Sequence, residues 1–407
     1  MSAMIPVAEA VERMLERVTR VVQTEIVPLA QGLGRICAKP IQSPIDVPGH
    51  DNSAMDGYAV RAGSAQVGDQ PVIVGTSAAG HPYSGAVAAG QCVRIMTGAT
   101  VPTGTDAIII QENVSVSDDG GSITINEPVR VGDNIRLRGA DVSQGATVIG
   151  QGERLNPVDI GLLASLGIAE VEVQRTLKVA VFSTGDELVS PGQPLQSGQI
   201  YDSNRYLIGA MLQRLNIEVM DLGRLPDNLE AIKGALTDAS TQADAIITSG
   251  GVSVGDADYT KQALEALGEV GFWKVAMKPG KPFAFGRLNQ AWFFGLPGNP
   301  VAAAVTMDQL VQPVLAKLAG EQQQATLQLS ATSAEALKKR PGRADFQRIC
   351  YWQDEHGELK LKSAGSQSSG VLSTLKLANG FAAIEQERGK VEPGESVTVL
   401  PFSKLLR

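Results

Sequence analysis

Residues 244–259 read Asp-Ala-Ile-Ile-Thr-Ser-Gly-Gly-Val-Ser-Val-Gly-Asp-Ala-Asp-Tyr and join strand, loop and helix signals in one short stretch. Ala245, Ile246 and Ile247 form the short apolar run of a buried parallel strand, and Lys261 to Leu267 resumes a helical pattern. Between them, Gly250, Gly251 and Gly255 permit backbone conformations that aim successive N–H groups into one concavity, while Thr248, Ser249 and Ser253 add hydroxyl donors. Asp256 and Asp258 follow where a divalent cation held against a bound phosphate needs oxygen ligands. A Gly-rich turn whose Asp258 caps the next helix is the plainer alternative, and this stretch alone leaves both open.

The same alternation extends on both sides. Lys178 to Phe182 is a strand followed by Ser183-Thr184-Gly185-Asp186-Glu187. Asp202 and Ser203 are candidate caps for a helix whose Leu207, Ile208, Met211, Leu212 and Leu215 make an apolar stripe. Ile217 to Leu222 is the next strand, and Asp227 stands ahead of a helix reaching Leu236. This pattern predicts a doubly wound, mostly parallel sheet, whose loops bearing Glu187, Asp227 and Asp258 emerge at one edge, where such sheets bind ligands. Further on, Phe272 to Ala276 and Trp292 to Gly295 are strands. Each leads into a loop, Met277-Lys278-Pro279-Gly280-Lys281-Pro282 and Leu296-Pro297-Gly298-Asn299-Pro300. Lys274, Lys278 and Lys281 offer ammonium groups to an oxyanion, and Pro300 suits the first turn of a helix. Solvated lysines are the alternative, set against a loop stiffened by two prolines and a glycine.

On the N-terminal side, Val7, Val11, Met14, Leu15 and Val18 recur at helical spacing. Ile45 to Arg61 is a polar loop containing Asp51, Asn52, Ser53 and Asp56, all residues that commonly form turns by bonding their own backbone. Strand-like runs follow at Pro71 to Val74, Gln91 to Ile95, Asp106 to Gln111 and Ser122 to Ile125, with Thr97 directly after one of them. They predict a small all-β domain ending at the charged group Arg136, Arg138 and Asp141. The helix Pro157 to Leu166 is expected to pack back on the first helix, making the β domain an insertion. After Gly320, strands alternate with turns to the end of the chain and predict a C-terminal β-barrel, with Arg343, Arg348 and Gly365 to Ser369 as its polar loci. The expected limits are 1–45 with 143–176 for an elongated N-terminal domain, 46–142 for the insertion, 177–326 for the α/β domain and 327–407 for the barrel.

With 407 residues, a formal net charge of −8 and no extended Lys/Arg face, the chain is a poor match for nucleic acid. No apolar run approaches the ~20 residues of a membrane span, and the N-terminus has no secretory pattern, so a cytoplasmic protein is expected. Three scattered cysteines and three scattered histidines leave chemistry to carboxylates, lysines and hydroxyls.

Taken together, Asp51 to Tyr58, Met96 to Gly98, Thr184 to Leu188, Ser249 to Gly255, Lys278 to Pro282 and Pro297 to Pro300 are similar, in order, to the MoeA family of molybdopterin molybdenumtransferases, which includes the gephyrin E domain. The resemblance covers nearly the whole chain. It implies a magnesium-dependent enzyme that inserts molybdenum from molybdate into adenylylated molybdopterin and releases AMP. It also implies a homodimer with a cleft between the α/β domain of one subunit and the β domain of the other. Asp56, Thr97 and Asp141 would line one side, and Glu187, Asp227, Asp256, Asp258, Lys274 and Lys278 the other. On this reading Glu187, Asp227, Asp256 and Asp258 hold magnesium. Thr184 and the loop Ser249, Gly250, Gly251, Ser253 and Gly255 hold phosphate, while Asp56 and Asp141 could instead bind pterin edges. Lys278, Lys281, Pro297, Pro300, Arg348 and Ser369 serve the molybdate side. Transient partners would be the adenylyltransferase that supplies the substrate and the molybdoenzymes that accept the product. The chain departs from the family at Ala302, where many members carry Ser, and matches it only loosely at Gly365 to Ser369. Two rivals are a molybdopterin adenylyltransferase, which shares the Ser-Gly-Gly loop but not the flanking domains, and a gephyrin-like receptor scaffold, which would not need the acidic and lysine set.

Overall fold

The computed structural model describes residues 4–21, 23–251, 259–323, 325–403 and 405–406. Its centre is a six-stranded sheet in the order Glu218–Leu225, Lys178–Thr184, Ala245–Ser249, Ala291–Leu296, Pro282–Leu288 and Gly268–Lys274. The first four strands are parallel, and Pro282–Leu288 runs against both of its neighbours. Successive side chains feed opposite faces, as the two-residue period of a strand requires. Val179, Val181, Ile247 and Phe294 enter one core with Ile208, Met211, Val305 and Leu310. Ala180, Phe182, Ile246 and Phe293 enter the other with Ile232, Leu236, Ala263 and Leu264. Both faces are covered by helices, so the sheet is doubly wound and its strands are apolar on both sides.

Two local expectations need correcting. The helix Val7–Arg17 does not pack on Pro157–Ser165. Its Ala10 and Met14 join the α/β core beside Val314 and Leu315, and Ile5 N–H reaches Lys274 O at 2.9 Å. Pro157–Ser165 instead gives Leu163 to a separate core with Val27, Cys37, Leu155 and Val173. An apolar stripe fixes which face is buried, and the stripe on Val7–Arg17 fits the α/β helices better than it fits a nine-residue helix. The second correction concerns Ser203, whose side chain makes no capping bond at the helix Asn204–Arg214; Asp202 Oδ1 accepts from Arg205 N–H at 3.3 Å instead.

The chain leaves and re-enters the N-terminal region along paired strands, Thr24–Pro28 against Glu170–Gln174 and Ile41–Gln42 against Thr147–Ile149. Between them lies a four-stranded sheet, ordered Val72–Ser77, Gln91–Ile95, Gly57–Val60 and Ala107–Ile110. Gly57 must be glycine, because a Cβ there would sit 1.9 Å from Ile109 O. At the other end, Leu329–Ser333, Ala344–Gln353, Leu359–Ser363, Gly380–Ile384 and Ser396–Pro401 close into a five-stranded barrel, since Ala344–Gln353 pairs with Leu359–Ser363 on one side and Gly380–Ile384 on the other. Met277–Lys278 adds to the barrel as a parallel partner of Ala344 and Asp345, which fastens it to the α/β sheet.

Candidate functional site

The carboxyl ends of the parallel strands gather the residues picked out by sequence. Lys178–Thr184 ends at Thr184, with Glu187 just beyond; Glu218–Leu225 leads to Asp227; Ala245–Ser249 leads to Gly250 and Gly251. Lys274, Lys278 and Lys281 belong to the connection between Gly268–Lys274 and Pro282–Leu288 at the same edge, and Pro297 ends Ala291–Leu296 there. Here a cleft of ≈ 640 Å³ opens, with Gly250, Gly251, Lys278, Pro297, Arg343 and Ser369 in its wall.

The glycines are required by geometry. Gly250 and Gly251 have φ of +95° and +66°, and a Cβ on Gly251 would lie 2.5 Å from Thr260 Oγ1 and 3.1 Å from Thr184 Oγ1. Gly185 has φ +141°, and its missing Cβ makes room for the Glu187 carboxylate, which would be 2.6 Å away. Behind the loop, Asn204 is buried and its Nδ2 donates both to Ser249 Oγ and to Gly298 O, each at 2.7 Å. One side chain therefore ties two walls of the cleft together. Because Ser249 Oγ accepts from Asn204, its own hydroxyl proton is left to donate elsewhere.

Across the cleft, Lys278 Nζ donates to Asp345 Oδ2 at 3.0 Å, and that carboxylate also accepts from Gln347 Nε2 at 3.1 Å. Arg348 does not line the cleft. It is buried, donates through Nη2 to Ser366 O and Ser368 O at 2.8 and 2.9 Å and through Nε to Thr374 Oγ1 at 3.1 Å, and so shapes the loop that carries Ser369. Burial holds its guanidinium pKa below the ordinary arginine value. Ser369 O accepts from Val301 N–H at 3.0 Å, next to Pro300 at the start of the helix Pro300–Thr306.

Comparison with known proteins decides the family. Residues 5–167 match the MoeA N-terminal region (domain I and II), residues 180–317 a probable molybdopterin binding domain, and residues 330–402 the MoeA C-terminal region (domain IV). A molybdopterin molybdenumtransferase of Haemophilus influenzae is 52% identical over 404 residues, 99% of this chain and 100% of that protein. The chain belongs to the molybdopterin molybdenumtransferase family. A member from Bacillus subtilis is 32% identical over 97% of this chain and 94% of its own length. The gephyrin of Dictyostelium discoideum is 32% identical over 98% of this chain and 62% of gephyrin. A crystal structure of a molybdopterin biosynthesis MoeA protein from Pyrococcus horikoshii superposes with a TM-score of 0.85 at 28% identity, covering 98% of this chain and all of that one.

Against the family pattern, this chain brings together only part of the expected set. Asp56 and Thr97 form a unit in the inserted sheet, where the Thr97 N–H and Oγ1 both donate to Asp56 Oδ1, at 2.7 and 2.8 Å. Those two bonds hold the Asp56 carboxyl below its ordinary pKa. Asp141 is exposed nearby in the chain, its N–H on Val47 O at 2.9 Å. Among the described residues lining the cleft, none comes from 46–142. Ser253, Gly255, Asp256 and Asp258 lie outside the described residues.

Among the described residues, no three Asp, Glu, His or Cys side chains converge as a cation site. Glu187 and Asp227 are both exposed and outside every ion pair of the described residues, and they follow neighbouring strands whose loops touch where Arg224 Nη1 donates to Gly185 O at 3.4 Å. Two free carboxylates that leave room for phosphate oxygens and water fit a hard divalent cation such as magnesium. Sequence reading missed Asn204 and Asp345. Asn204 sat in a stretch read only for helix caps, and Asp345 had no local signal at all.

Proposed function

We propose that this family member carries out molybdenum insertion: it binds adenylylated molybdopterin and molybdate at the carboxyl edge of its α/β sheet, joins molybdenum to the dithiolene, and releases AMP. The observation that carries the reading is the cleft itself, in which the Gly250–Gly251 backbone, Lys278 and Arg343 face one space. Pyrophosphate and molybdate are both multiply charged oxyanions, so bringing them together demands fixed donors and cations. We assign phosphate to Thr184, Ser249, Gly250 and Gly251, with Ser253 and Gly255 of the same loop. We assign molybdate to Lys278, Lys281 and Ser369, with Pro297 and Pro300 shaping the wall. Lys274 stands exposed at the same edge and adds positive charge there. Arg348 we place as a positioning residue for the Ser369 loop.

Glu187 and Asp227, joined by Asp256 and Asp258, would hold magnesium. When bound, magnesium supplies positive charge that offsets repulsion between phosphate and molybdate oxygens. Asp56, Thr97 and Asp141 are absent from the cleft of their own chain, which supports a homodimer in which the partner subunit brings them to it. Among the described residues no helix is long and apolar enough to cross a membrane, and we take the cytoplasm as the place of action. Transient encounters with the adenylyltransferase and with acceptor molybdoenzymes complete the proposal.

The test is AMP release from adenylylated molybdopterin with and without molybdate and magnesium, alongside molybdenum retained on the pterin. Release that needs both, with metal transferred, is expected. Tight pterin binding with no release would move the assignment to a carrier or scaffold.

A further inference from the structure

A second hollow, of ≈ 560 Å³, adjoins the cleft and shares Lys278 and Arg343 with it. Lys338, Lys339, Arg340 and Lys390 complete its charged lining, and among the described residues Asp345 is its sole carboxylate. That carboxylate is already engaged by Lys278 and Gln347. Lys339 is structural: its Nζ donates to Arg340 O, Gln386 O and Arg388 O at 3.3, 3.1 and 2.6 Å, which pins the loop from which the other cations project. Lys390 pairs with Glu392 at 2.9 Å. Lys338, Arg340 and Arg343 stand in no ion pair among the described residues.

The chain as a whole carries a net charge of −8 and repels a dianion at long range. A local group of unpaired cations beside the cleft reverses that field over about a Debye length, ~8 Å at physiological salt, and such focusing raises on-rates by roughly 10 to 10³. We propose that this hollow is an entry subsite for a tetrahedral dianionic oxyanion, which collects molybdate at Lys338, Arg340 and Arg343 and passes it across Lys278 into the cleft. Arg343 is the natural hinge of that path, being half-buried and common to both walls. The inference rests on the molybdate reading of the cleft for the identity of the ion, but on charge alone for the existence of the subsite.

The experiment is calorimetric titration of the full-length protein with sodium molybdate, without pterin, at low and physiological salt, with inorganic phosphate and AMP as parallel ligands. The probe variant is the surface double substitution Lys338→Glu with Arg340→Glu, whose fold is checked by circular dichroism and thermal melting. We expect molybdate binding that weakens with salt, and at least a tenfold rise in Kd in the variant. Its KM for molybdate in AMP release should rise similarly while kcat stays unchanged. Inorganic phosphate should compete, and AMP, whose charge is tied to a bulky nucleoside, should not. Wild-type molybdate affinity in the folded variant would overturn the subsite, as would binding that ignores salt. If the variant loses salt-sensitive binding but wild type shows no molybdate-dependent AMP release, the subsite stands and the proposed reaction falls.

Discussion

Lys278 Nζ lies 3.0 Å from the Asp345 carboxylate, so the lysine that faces the cleft is held from behind by the barrel. The pair is asymmetric: the Asp345 side chain is 4% exposed and that of Lys278 is 41% exposed. Replacing Asp345 by Asn removes a negative charge close to the anion site yet frees the lysine to wander. Inorganic molybdate should then bind more tightly, by on the order of 1 kcal/mol or about fivefold, since charges at this range interact at that scale near a surface. Turnover should fall tenfold or more, because a loose ammonium no longer meets the reacting groups in register. Tighter binding with slower AMP release is the expected kinetic signature; unchanged values of both would show that Asp345 does not set the lysine.

Asn204 and Ser249 should behave as one unit. Asn204→Ala removes two bonds from a buried amide, and the expected loss is about 1 to 3 kcal/mol in urea unfolding. In a Ser249→Ala background the same change should cost less, by about 0.5 to 1.5 kcal/mol, because one shared bond is already gone. Strict additivity would separate the two residues.

At Gly185 the backbone lies at φ +141° and the space for a Cβ is taken by Glu187. Gly185→Ala should cost about 1 to 3 kcal/mol in stability from backbone strain. It should also displace Glu187 and raise the magnesium concentration needed for half-maximal AMP release several-fold. An unaltered magnesium requirement would remove Glu187 from the cation site.

Asp56 offers a titration test. Its carboxyl is held below the ordinary value by the Thr97 N–H and then the Thr97 hydroxyl. A lowered folded-state pKa stabilises the protein above the unfolded carboxyl pKa, and this contribution disappears as pH falls through the folded value. Thr97→Val keeps the N–H but loses the hydroxyl. The Asp56 titration followed by carboxyl NMR should therefore move up toward the ordinary range without reaching it, and acid unfolding should begin at a higher pH. An unmoved midpoint would mean that the hydroxyl does not bond the carboxylate in solution.

Strand ends and loops were readable from sequence because they are local. The run Ala245 to Ile247 next to Gly250 and Gly251, or Trp292 to Leu296 ahead of Pro297, states burial and chain reversal within a few residues, and the parallel alternation then forces the loops to one edge. The barrel was legible for the same reason.

What sequence could not supply was the choice of partner. The stripe on Val7–Arg17 announced an apolar face, yet only the packed structure sets that face on the helix Gln312–Leu318 rather than on Pro157–Ser165. Arg348 looked like an anion ligand because arginine at a polar locus usually is, but a guanidinium satisfied by Ser366 O, Ser368 O and Thr374 Oγ1 is a scaffold for the loop. Lys278 and Asp345 are 67 residues apart, and Asn204 and Ser249 are 45 apart. Apolar period and turn chemistry therefore determined the elements and the edge where chemistry gathers. The pairing of polar groups over such separations was decided only by tertiary packing, which alone sets which donors and acceptors are buried together and must satisfy one another.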